Sequence, residues 1–206
     1  MLITRYAKIV MAASLAAFCL LVAFDNITDY GTNYLFVQHV MSMDTTFAGN
    51  ALIYRSVTNP MLWRIVYALI IAAEAVTGIL FLAGAIRLFQ VRHAPAAVFN
   101  RAKGLVVAAA LAAFLVWFFG FMVVAGEWFA MWQSATWNGQ DAAFRFYVTA
   151  LAVLVFVTMP DSDLIALKPE LAQDNKKPAQ AKKRTASKRP PTRRAIDKGR
   201  RRTDGE

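Results

Sequence analysis

Residues 104–126 read GLVVAAALAAFLVWFFGFMVVAG. No position in this run is charged, and its only strong side-chain donor is the indole of Trp117. A bilayer core of about 30 Å needs roughly 20 apolar residues at about 1.5 Å each. Inside lipid every backbone N–H and C=O must bond within its own segment, which a helix achieves alone. A membrane strand would instead alternate in polarity. The run is therefore read as a transmembrane helix. Three neighbours share its character. One spans about 6–24 and is broken only by Lys8. A second spans 61–86, with Arg64 at its start and Glu74 midway. The shortest spans 142–159, with Arg145 one turn in. Punctuation falls between them. Asn59-Pro60 places a capping side chain before a proline that suits the first helical position. Asn138-Gly139 marks a turn, with Asp141 as the expected N-cap of the last span. Pro95 interrupts the middle connection, and Pro160-Asp161 ends the last span.

Composition agrees with this reading. The 206 residues are 58% apolar and 17% charged, against about 45–50% and about 25% in a soluble domain. The excess lies almost wholly in residues 1–160, which makes a single soluble globular domain a poor description. Cys19 is the only cysteine, so no intrachain disulfide forms. The fold class expected is all-α: a polytopic membrane domain at 1–162 with four transmembrane helices, and a tail at 163–206. Arg5 and Lys8 before an apolar run imitate a signal peptide. Cleavage after Ala23 would put Leu21 at the −3 position, where a small residue is needed, so a retained anchor is expected.

Charge sets the expected orientation. Lys and Arg in short loops favour the cytoplasm. Arg5 and Lys8 precede or open the first span; Arg87, Arg92, Arg101 and Lys103 surround the middle connection; 14 of the 23 basic residues follow Met159. The loop at 25–60 holds three Asp and only Arg55, and the loop at 127–141 holds two acids and no base. Both termini are thus expected in the cytoplasm and both acidic loops outside.

The two outer loops carry the unusual residues. YLFVQHVMSMDTTF at 34–47 places Phe36, Val37, Val40, Met41 and Phe47 on one helical side, as an amphipathic helix lying in the interface would. GEWFAMWQSATWNGQDAAFR at 126–145 holds Trp128 and Trp132, four apart and so expected on one helix face, then Trp137. With Trp63 these suit a membrane–water boundary. His39, Asp44, Arg64, Glu127, Asp141 and Arg145 fall at the same level. Arg64 and Arg145 are expected to pair with Glu127, Asp44 or Asp141 and pin the loop to the bundle, with a ligand or partner site as the alternative. Glu74 lies about 15 Å along the helix from Arg64, near the bilayer centre. A carboxylate there is costly when charged, so it is expected neutral or bonded to a polar group such as Thr149 or Ser14. Proton or ion passage is the functional alternative.

Catalytic and cofactor signatures are missing from the sequence. His39 and His93 fall on opposite sides of the membrane and cannot share one haem. No His/Cys cluster suits zinc, and no P-loop, GxSxG or nucleotide fingerprint occurs. No enzyme activity and no cofactor are expected. The tail from Pro169 onward has no aromatic residue, includes Lys182-Lys183-Arg184 and Arg200-Arg201-Arg202, and is expected to be disordered. Its expected partner is anionic lipid headgroups of the inner leaflet. Nucleic acid, through phosphates, is an alternative, as is a purely topological role.

The strings FDNITDYGTNYLFVQHVMSMDTTF from Phe24, Trp63-Arg64, and GEWFAMWQSATWNGQDAAFRF from Gly126 resemble a bacterial family of predicted small integral membrane proteins of unknown function. The resemblance covers about residues 5–162 and leaves out the basic tail. It implies four membrane helices in a bacterial inner membrane and brings no activity or catalytic residue. The function expected is a non-catalytic accessory or scaffold component of a larger inner-membrane assembly, docked through its outer face. The alternatives are an ion- or proton-coupled transporter using Glu74, and a quinone- or lipid-binding protein at Glu127–Arg145.

Overall fold

A computed structural model describes residues 2–163. The expected disordered, polybasic tail lies outside the described residues from 164 onward. The described residues form helices α1 (Leu2–Thr28), α2 (Tyr30–Ser42), α3 (Pro60–Gln90), α4 (Ala96–Ala102), α5 (Gly104–Phe114) and α6 (Gln140–Thr158), with no strand among them. α5 runs without a break into a π-wound segment, Leu115–Trp128. Single 3-10 turns occupy Ile53–Arg55 and Met131–Gln133. Four helical stretches are long and apolar enough to cross a membrane: Leu2–Thr28, Pro60–Gln90, Ala96–Trp128 and Gln140–Thr158. The first three contain the expected spans, and the fourth ends one residue earlier, at Thr158. α3, with 31 residues, is about 46 Å long and so exceeds the hydrocarbon thickness.

Local chemistry explains the helix ends. Asn59 Oδ1 accepts the Met61 N–H at 2.9 Å, with Pro60 in the first helical position. At the start of α6, Gly139 is the N-cap and Asn138 Oδ1 accepts the Gln140 N–H at 3.1 Å. Asp141 therefore lies in the first turn instead of capping it, where its charge still complements the helix dipole. The helix expected over 34–47 runs instead over Tyr30–Ser42. Met43 stops it in a left-handed conformation (φ 56°), with its N–H on the carbonyls of His39 and Val40. Phe47 thus lies beyond the helix, while Val37, Val40 and Met41 are buried.

α1 lies along α3, α3 along α5, and α6 along α5 and the π segment. Lipid supplies no hydrophobic drive between helices, so close backbone approach through small residues matters most. The buried stripe of α1 is Ala12, Ala16, Cys19 and Ala23, and that of α5 is Val106, Ala109, Ala110 and Ala113. A Cβ on Gly78 would meet Leu20 Cγ at 2.7 Å, and one on Gly84 would meet Val106 Cγ2 at 2.8 Å. The large aliphatics Leu21, Leu69, Ile79, Leu111 and Val155 point outward, a surface suited to lipid. Phe81, Leu88, Phe99 and Val106 belong to the main core. A second apolar cluster, around Val40, Met41, Tyr67, Phe129 and Met131, joins α2 and the 129–139 connection to the bundle. This end is called the cap; the opposite end carries Leu2, residues 91–95 and residues 159–163.

Candidate functional site at the cap of the bundle

The two cap connections are bonded to each other and to the helices beneath. Thr45 Oγ1 donates to Ser134 Oγ at 2.8 Å, and the Trp137 N–H donates to the same oxygen at 2.9 Å. The Phe47 N–H reaches Gln133 Oε1 at 3.2 Å. The Val57 N–H bonds the Met41 carbonyl at 2.7 Å, and Trp63 Nε1 donates to the Val57 carbonyl at 2.7 Å. Arg55 bridges the connections: its guanidinium donates to the carbonyls of Glu127 and Trp128 at 3.5 and 3.4 Å and lies 4.8 Å from the Trp128 ring centre. The chain leaves the π segment through Ala130, which is fully buried at φ 49°. A left-handed alanine costs free energy and persists only where packing enforces it. Here Ala130 and Met131 are both held in the cap cluster.

None of the expected Arg64 or Arg145 ion pairs forms among the described residues; Asp44 instead faces His39. His39 Nδ1 lies 2.9 Å from Asp44 Oδ2, and the imidazole stacks on Trp137 with ring centres 4.6 Å apart. Arg64, Glu127, Asp141 and Arg145 are exposed and make no ion pair among the described residues, where the pairs are Lys8–Asp161, Lys103–Asp161 and His39–Asp44. Helical phase is the reason. α3 turns Trp63, Tyr67, Ile70 and Glu74 inward, and Arg64 falls about 100° away from Trp63. α6 buries Ala143, Ala150 and Val157, and Arg145 falls off that stripe. Trp128 and Trp132 do not share a helix face, because helical winding stops at Trp128. Both are exposed, and Trp132 meets Phe47 edge-on at 5.8 Å. Trp63 and Trp137 are half-buried.

Glu74 is 2% exposed, and its partner is neither Ser14 nor Thr149. Those hydroxyls donate to the carbonyls of Val10 and Arg145 one turn back in their own helices, as Ser and Thr in helices often do. Asn26, near the end of α1, donates to Glu74 Oε2 at 2.7 Å, and the Tyr67 hydroxyl donates to the Asn26 carbonyl at 2.8 Å. The triad ties α1 to α3 just beneath α2, whose Tyr30 ring centre lies 4.7 Å from that of Tyr67.

Beneath α2 a groove of about 750 Å³ opens between α3 and the π segment. Val37 and Val40 roof it, Leu69 and Ala73 form one wall, and Phe119 and Val124 form the other. A shallow, mostly apolar recess of about 630 Å³, in which Arg55 and Glu127 are the charged lining residues beside Trp128, adjoins it and shares Val124 and Phe129. At the opposite end, Lys8 and Lys103 each place Nζ 2.6 Å from Asp161 Oδ2. Both lysines also donate to the Met159 carbonyl, and Arg5, wholly buried, donates to the carbonyls of Arg92, Ala94 and Ser162. Burial opposes ionisation of Asp161, but Lys103 and then Lys8 hold its carboxyl below the usual carboxylate range. Reading Arg5 and Lys8 only as topology signals missed this knot. The available signal was Asp161, an acid directly after the last span at the end otherwise rich in bases.

No curated protein and no solved structure shows significant similarity to the chain. Residues 4–160 match the model of a family described as predicted small integral membrane proteins, DUF2165. With four helices of membrane-crossing length and an apolar exterior around a small-residue interior, the match has its physical counterpart. The chain belongs to this family of small integral membrane proteins.

Proposed function

We propose that the protein is a non-catalytic accessory component of a larger inner-membrane assembly, which it engages through its cap. One observation carries the reading. The two cap connections are locked together by Thr45–Ser134, Phe47–Gln133 and the Arg55 bridge, yet they present Phe47, Ile53, Tyr54, Trp128 and Trp132 outward. Preordered apolar surface lowers the entropy cost of association, and aromatic residues are the commonest anchors of such contacts. The Glu74–Asn26 bond supports a structural role for that carboxyl instead of a transport role. In this reading the cap faces outside and both termini lie in the cytoplasm, as the excess of Lys and Arg at the other end favours. The basic tail adds attraction to anionic lipid. The test is a photo-crosslinking residue at Tyr54, followed by gentle solubilisation and mass analysis. A stoichiometric partner crosslinked from Tyr54, and lost with Phe47→Glu, is expected. A chain that crosslinks only to lipid would overturn the reading.

A further inference from the structure

We propose that the lateral groove and the adjoining recess that holds Arg55 and Glu127 form a binding site for one phospholipid with a phosphoethanolamine-type headgroup. The inference goes beyond partner docking and does not rest on it, although the recess shares Arg55 and Trp128 with the cap surface. Dimensions come first. Along α3 the groove runs from Val66 to Thr77, about 16 Å at 1.5 Å per residue. That is about one leaflet of a 30 Å core, hence the reach of one acyl chain. The lining is apolar throughout, apart from Thr77, whose hydroxyl is already bonded to the Ala73 carbonyl.

Charge complementarity selects the headgroup. At the cap end of the groove, Arg55 and Glu127 line the same recess, and neither has an ion-pair partner among the described residues. Arg55 is fixed by two carbonyls and the Trp128 face, leaving guanidinium N–H groups for a phosphate, which they match in geometry. The Glu127 carboxylate, which lines the same recess, suits the ammonium of the same headgroup and disfavours a purely anionic one. The wall facing α3 is the π-wound segment. Here the wider turn presents Leu115, Val116, Phe119, Gly120 and Val124 to the groove.

Native mass spectrometry of the full chain, released from membranes in mild detergent, tests the site. Delipidated protein is then titrated with phosphatidylethanolamine, phosphatidylglycerol or phosphatidylcholine. One phosphatidylethanolamine retained per chain is expected. Arg55→Gln should weaken retention at least tenfold. Ala73→Phe, which fills the groove without touching the recess, should abolish it. Glu127→Gln should shift preference toward phosphatidylglycerol. Thermal melts of each variant confirm that it is folded. No retained phospholipid, retention indifferent to both Arg55→Gln and Ala73→Phe, or a quinone or second copy of the chain in the groove would each overturn the assignment.

Discussion

Among the described residues, Asp161 is the one carboxylate that pairs with the buried ammonium groups of Lys8 and Lys103, and Asp161→Asn removes it. Both Nζ atoms lie 2.6 Å from one oxygen, and side-chain exposures are 1% for Lys8, 6% for Lys103 and 2% for Asp161. Breaking a buried ion pair from one side costs about 3–5 kcal/mol, because the remaining charge is stranded. The stranded charge here is double, so the upper half of that range is expected. For a chain of this size about 1 kcal/mol moves the melting temperature by roughly 2–4 °C, which places a loss of about 4–5 kcal/mol at about 8–20 °C. Tryptophan fluorescence during heating in mild detergent measures it, with Trp117 in the core as reporter. The pH dependence provides a second arm. A carboxyl held below its ordinary value stabilises the fold fully above that value, about pH 4, and the contribution disappears as pH falls through the lowered value. Wild type should therefore lose stability below about pH 4, and Asp161→Asn should lose much less there. Replacing the whole group (Lys8→Met, Lys103→Met, Asp161→Leu) should recover most of the lost stability. A single-variant melt within a degree of wild type, or a triple variant worse than the single, would refute the ionic-knot reasoning.

Glu74→Ala should cost about 1–3 kcal/mol by leaving Asn26 Nδ2 without its acceptor, whereas Glu74→Gln, which keeps an oxygen there, should cost less than about 1 kcal/mol; paired denaturation curves check the difference. Gly84→Ala drives a methyl to 2.8 Å from Val106 Cγ2 and 3.1 Å from the Val106 backbone nitrogen, so α3 and α5 must separate, at about 1–3 kcal/mol in the same assay. Membrane-impermeant thiol labelling of intact cells should modify Tyr54→Cys and spare Arg92→Cys, with little background from the buried Cys19; the opposite pattern would reverse the orientation.

Hydrophobicity summed over 18 or more residues is a property of the chain alone, so the four helices and the breakers between them were legible without coordinates. Asn59-Pro60 illustrates this, because its cap is made by neighbours in sequence. The same holds for charge totals in each connection. Partner identity was not legible. Arg64 and Arg145 stand at the right depth for ion pairs, but rotation about the helix axis turns both outward, and depth carries no information about rotation. Lys8 and Lys103 looked like flanking charges until the ends of α1, α5 and α6 converged on Asp161. Asn26 became the partner of Glu74 because α1 runs antiparallel to α3 in a register maintained by contacts such as Leu20 against Gly78. Composition and hydropathy therefore determined that this chain crosses lipid and roughly where. Only helix phase and register, which depend on packing between distant segments, decided which charges are buried together, how the cap locks, and where a groove opens.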